Sequence, residues 1–162
     1  MLYPEIKSVV QNINESRDNV ILGAETKVLW GKETIVDRIG KLKFKISAQS
    51  FFQVNPAQTE VLYQKAVEYA GLTGQETVLD AYSGVGSLSL FLAQNAKKVY
   101  GIEVVAEAVK NANESAAFNE IYNAQFLLGT VEKVLPQLVK GGTEFQAAVV
   151  DPPRSGCEET VF

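Results

Sequence analysis

Three groups of residues have side chains and spacings suited to chemistry: Asp80-x-x-x-Gly84-x-Gly86, the acid Glu103, and Asp151-Pro152-Pro153-Arg154. The first follows the apolar run Thr77, Val78, Leu79 and precedes Leu88, Leu90, Phe91 and Leu92. A buried strand therefore runs through a glycine turn into an amphipathic helix. Gly84 and Gly86 let the backbone approach a ligand closely, and a turn that opens a helix points backbone amides toward it. Glu103 ends the next apolar run, Lys98-Val-Tyr-Gly-Ile-Glu103, 23 residues after Asp80. A doubly wound sheet places the carboxylate that binds ribose hydroxyls at about that distance. Glycine loop and acid together point to an adenosine-containing cofactor.

The same residues exclude several chemistries. A dinucleotide loop needs a third glycine to hold a pyrophosphate, and Ser89 stands where it would fall; no G-x-x-x-x-G-K-[ST] is present for a triphosphate. The chain has no histidine and one cysteine, Cys157, so an internal disulfide, a zinc site and a histidine-based triad have no residues to build them. In Asp151-Pro152-Pro153-Arg154 the two prolines fix φ and lack N–H donors, which displays backbone carbonyls and the Asp151 carboxylate rigidly to a substrate. The tetrapeptide also suits a helix start, with Asp as the cap and Pro in the first turn.

The elements that position these residues fall into two regions. Before residue 50, residues 5–12 read as a short helix, and 19–22, 27–30, 34–37 and 41–47 read as short strands. In the last of these Lys41, Lys43 and Lys45 alternate with Leu42, Phe44 and Ile46, a half-solvated strand whose lysines form a wetted face and block edge pairing. From Asn55-Pro56 onward strands (77–80, 98–102, 124–128, 145–150) alternate with helices (56–70, 86–95, 105–118, 130–139). Such alternation implies a parallel sheet with helices on both faces. Ligand is then expected beyond the carboxyl ends of the strands, between the first and the fourth.

Composition, with 46% hydrophobic and 21% charged residues over 162 positions, fits an ordinary globular chain of one or two domains. No apolar run reaches the roughly 18 residues needed to cross a bilayer, and Met1-Leu-Tyr-Pro-Glu-Ile-Lys is not a signal peptide, which gives an expectation of a cytoplasmic protein without membrane partners. The net charge of −4 gives no overall attraction for a phosphate backbone, so RNA binding would rest on local patches or on parts outside this chain.

D-x-x-x-G-x-G followed by an acid at the end of the second strand resembles the S-adenosylmethionine loop of Rossmann-like methyltransferases. Asp or Asn-Pro-Pro-Tyr serves methyltransferases acting on exocyclic amines, but Arg154 replaces the aromatic here, and amino methylation is the weaker reading. With Ser50-Phe-Phe-Gln-Val-Asn-Pro56, the segment Asn55 to Tyr63, the glycine loop and Asp-Pro-Pro-Arg in order, the chain resembles the bacterial RNA (uracil-5-)-methyltransferases. The resemblance implies an α/β, Rossmann-like methyltransferase fold with an incomplete sheet at 51–162 and a small β-rich extension at 1–50. It places Gln53, Tyr82, Glu103 and Asp151 on S-adenosyl-L-methionine, beside Gly84 and Gly86, and makes Pro152 and Arg154 substrate-side candidates.

In that family a cysteine adds to carbon 6 of uracil, carbon 5 attacks the sulfonium methyl, and a base removes the carbon 5 proton. The resemblance places this cysteine in a Ser-Cys-Asn-Pro motif beyond Phe162 and the base further on, so no catalytic residue is expected in this chain and Cys157 does not take the role. The implied RNA is 23S rRNA, with tRNA as the other candidate. The expected piece is inactive alone and self-associates through the edge of its last strand. A methyltransferase for another substrate and a cofactor-binding module without activity are the alternatives.

Overall fold

The computed structural model describes residues 3–17, 21–23, 25–152 and 156–157. Two antiparallel hairpins come first: β1 (Ser8–Ile13) pairs with β2 (Glu25–Gly31), and β3 (Thr34–Ile39) with β4 (Leu42–Ser47). The helix expected over 5–12 is therefore a strand. Its β-branched Val9 and Val10 sit opposite Trp30 and Val28, and the partner strand outweighs the weak helical pattern. No strand forms at Ile21 and Leu22, which lie in an exposed bend; Asn19 and Val20 fall outside the described residues.

β4 keeps the expected alternation, with Leu42 and Phe44 buried. Its outer edge is closed by a helix rather than by its lysines. Asn119 accepts from Lys43 N (2.9 Å) and donates to Lys43 O (2.6 Å), and Ser115 Oγ accepts from Lys45 N (3.0 Å). Both partners lie on or just after α3 (Ala106–Phe118). Lys45 is also not free in solvent, since its ammonium pairs with Glu114 at 3.1 Å.

The second region alternates as expected: α1 (Pro56–Ala70), β5 (Thr77–Ala81), α2 (Ser87–Ala93), β6 (Lys98–Glu103), α3, β7 (Ala124–Leu128), α4 (Val131–Lys140) and β8 (Ala147–Val150). These four strands form a parallel sheet in the order β7-β6-β5-β8. The chain thus builds outward from β5 in one direction, then crosses back to its other side. The expected switch point, between β5 and β8, is where the fold puts it. β8 starts two residues later than expected because Gln146 turns back onto β5. Its N donates to Thr77 O (3.0 Å) while its side-chain oxygen accepts from Thr77 N (2.8 Å).

Alternation along β5 and β6 separates the two faces of the sheet. Val78 and Val99 pack with Leu92, Ala93 and Val67 on the side of α1 and α2, whereas Leu79, Ala81 and Ile102 meet Val131, Val134, Leu135 and Leu138 of α4. Those α4 positions recur at the helical spacing that gives one apolar stripe. α1 begins where Asn55 Oδ1 accepts from Gln58 N (3.2 Å) with Pro56 at the first position, and ends at Gly71 in a left-handed conformation. Ile39, Leu42 and Phe44 of the second hairpin share a buried cluster with Tyr63, Leu90, Phe91 and Phe126. This packing sets residues 51–53 beside the carboxyl end of the sheet.

Candidate functional site

A cavity of about 590 Å³ opens at the carboxyl ends of β5, β6 and β8. It gathers Gln53, Tyr82, Gly84, Glu103, Asp151 and Pro152, drawn from four separate stretches of sequence. Of the residues singled out by sequence, Gly86 does not line it, and Arg154, like Pro153, lies outside the described residues. Cys157 is a half-buried free thiol that is not part of the lining.

Glu103 holds the site together. One carboxylate oxygen accepts from Gly84 N at 3.0 Å and the other from Val105 N at 2.8 Å, so a single side chain ties the glycine turn to the β6–α3 loop. Each oxygen retains a further acceptor position for a ligand hydroxyl. Asp80 is 2% exposed and accepts from Ser89 Oγ at 2.5 Å. Burial pushes its carboxyl up to about 7 against the opposing effect of the Ser89 hydrogen bond, and the nearby Asp151 and Glu103 push in the same direction as burial. Tyr82 adopts φ +66°, a conformation that side-chain-bearing residues rarely hold, and its hydroxyl donates to Glu132 at 3.2 Å in the first turn of α4. Backbone strain of this kind concentrates at ligand sites.

The two glycines of the turn have different work. At Gly84 (φ +55°) a Cβ would meet nothing within 4 Å, so the missing side chain leaves open space toward the cavity. At Gly86 (φ +75°) a Cβ would lie 2.5 Å from Phe126 Cζ and 3.0 Å from the Ala112 Cβ. Gly86 N is also spent on Ser83 O at 2.8 Å. Both glycines were expected to admit a ligand; Gly84 lines the cavity, whereas Gly86 makes room for the Phe126 ring. Gly101, not foreseen, has the same cause, since a Cβ there would sit 2.6 Å from Phe126 Cδ1.

Tyr63 and Ser87 were also missed. Both line the cavity, and their oxygens are 2.8 Å apart in the interior. The sequence does hold a signal, since Thr59 and Tyr63 are four residues apart and form the buried positions of α1, yet both carry hydroxyls that an apolar face would not need.

A methyltransferase-domain family model matches residues 72–150. An RNA methyltransferase of Bacillus cereus is 58% identical over 99% of this chain, and one of Halalkalibacterium halodurans is 56% identical over 98%. The chain spans 35% of the length of each of these relatives. Among solved structures, the tRNA (uracil-54, C5)-methyltransferase of Pyrococcus abyssi in complex with S-adenosyl-L-homocysteine superposes with a TM-score of 0.76 at 30% identity, over 99% of this chain and 38% of that one. The sheet order, the cavity at its switch point and this match define a Rossmann-like methyltransferase fold. Within that class, the chain belongs to the same sequence family as the bacterial RNA methyltransferases just described.

Proposed function

We propose that this chain is the cofactor-binding part of an S-adenosyl-L-methionine-dependent methyltransferase acting on carbon 5 of a uridine in RNA, 23S rRNA first and tRNA second. The observation that carries the reading is the convergence of Gln53, Tyr82, Gly84, Glu103 and Asp151 on one cavity at the switch point of the sheet. The cofactor fits what lines it. Gly84 leaves room for close approach, Glu103 accepts from ribose hydroxyls, Tyr82 packs beside the cofactor, Gln53 offers an amide, and Asp80 and Asp151 favour the positive charges of the methionyl end. When bound, the cofactor supplies an electrophilic methyl group on sulfur. Pro152, at the cavity, is a substrate-side candidate in this reading, as is Arg154, which lies outside the described residues.

In this reading residues 1–50 are a β-rich extension and 51–162 the cofactor half of a cytoplasmic enzyme. The thiolate and the proton acceptor are assigned to parts outside these residues. β8 lies at one edge of the four-stranded sheet, and its exposure makes the isolated chain self-associate. A mass that rises with concentration in sedimentation is the expected result, and a constant monomer mass counts against it.

The activity is tested by incubating the intact protein with methyl-labelled cofactor and RNA from a strain lacking its gene, then identifying the labelled nucleoside. Label in 5-methyluridine of 23S rRNA, lost in Asp151→Ala, is expected. Label in tRNA selects the second RNA, and label in another base or in protein overturns the uridine assignment.

A further inference from the structure

Tyr63 and Ser87 form a hydroxyl pair on the cavity wall that the reading above leaves without a task. Tyr63 is 6% exposed and Ser87 8%, and their oxygens are 2.8 Å apart. Each hydroxyl carries one proton, and the bond between them consumes one of the two. Whichever oxygen donates, the pair keeps one O–H unspent. Asp80 and Asp151 stand close enough to raise the Tyr63 phenol above its ordinary range, although burial is the larger cause, so Tyr63 stays protonated and able to donate. The Gln53 amide bears on the same hydroxyl.

Charge decides what this donor is for. The described lining includes Glu103, Asp151 and the Asp80 carboxyl, the last raised to about 7 by its burial, and no lysine or arginine. Such a wall attracts the sulfonium and ammonium of S-adenosylmethionine and repels its carboxylate. A buried carboxylate needs hydrogen-bond donors, and here the side-chain donors at hand are neutral. We infer that the Tyr63–Ser87 pair is the subsite for the α-carboxylate of the cofactor, with the unspent O–H donating to it. The inference rests on the cofactor reading and assigns two residues that reading did not use.

The test is calorimetric titration of the intact protein with S-adenosylmethionine and with its decarboxylated analogue, which keeps the sulfonium and the amine. Deleting both hydroxyls in Tyr63→Phe/Ser87→Ala should weaken S-adenosylmethionine by roughly 10- to 100-fold, the range for a hydrogen bond to a charged group, and leave the analogue nearly unchanged. The ratio of the analogue's dissociation constant to that of S-adenosylmethionine therefore falls by the same factor, which loss of structure alone would not produce. Should the double variant fail to fold, at least one single variant must reproduce the fall. A ratio retained in all variants overturns the subsite and gives the carboxylate to another group, Arg154 among them. Failure of the parent to bind either ligand overturns the cofactor reading itself.

Discussion

Gly84 and Gly86 stand two residues apart, both at positive φ, yet alanine should be tolerated differently at each. A left-handed conformation costs a residue with a Cβ about 1–2 kcal/mol, and at Gly84 that is the whole cost because the added methyl meets nothing within 4 Å. At Gly86 the methyl would also press 2.5 Å from the buried Phe126 ring, and overpacking adds about 1–3 kcal/mol. Denaturant unfolding should therefore find Gly86→Ala less stable than Gly84→Ala by about 1–3 kcal/mol, whereas Gly84→Ala should be the variant that weakens cofactor binding. Equal stability losses would show that Phe126 yields to the methyl. The sequence displays both glycines in one motif and cannot separate them, because Phe126 is 40 residues away and meets Gly86 only once β7 has joined the sheet. Glu103 was legible for the opposite reason. Its acid type, its place at a strand end and its distance from Asp80 are all local properties of the chain.

Among the elements, the seal between β4 and α3 shows which interactions matter at a strand edge. Asn119 satisfies both the N–H and the C=O of Lys43, at 2.9 and 2.6 Å, in the manner of a neighbouring strand. Asn119→Ala would leave those part-buried backbone groups unpaired, at about 1–3 kcal/mol each if water does not reach them. Lys45→Ala removes only a half-exposed ion pair with Glu114, a loss of at most about 1 kcal/mol. Thermal unfolding should rank Asn119→Ala well below Lys45→Ala, and the reverse order would mean that the lysine face protects the edge after all. α1 over 56–70 and β7 over 124–128 were readable from sequence to the residue, α1 because Asn55-Pro56 and Gly71 mark its two ends. β1 was not, because a short stretch such as Ser8–Ile13 takes its conformation from β2, whose Val28 and Trp30 lie some 20 residues on. The start of β8 was hidden by Gln146, whose side chain does the work of a backbone partner.

On the scale of the whole molecule, two carboxylates with opposite shifts shape how stability depends on pH. Glu76, in the turn from α1 to β5, accepts from Thr73 N and Oγ1 and from the amides of Gly74 and Gln75, with the Thr73 hydroxyl the largest cause of a carboxyl lowered to about 2. A lowered acid stabilises the fold above its unfolded value near 4.5, and that contribution disappears as pH falls toward 2. Asp80 acts in the other direction. Its unfolded value is 3.8 and its folded value about 7, so between these limits the folded state holds a proton that the unfolded chain has released. Stability therefore declines as pH rises from about 4 through 7 and levels off above that range. Between them the two groups place greatest stability in mildly acidic solution. The pH series of unfolding temperatures should separate them cleanly. Asp80→Asn should flatten the alkaline limb, so that its advantage over the parent grows from pH 4 to 7 and then stays constant, and Glu76→Gln should flatten the acid limb alone. A constant offset for Asp80→Asn at every pH would mean that Asp80 titrates alike in the folded and unfolded chain, with the Ser89 hydrogen bond offsetting its burial, and that its carboxylate is ionised at neutral pH on the cavity wall.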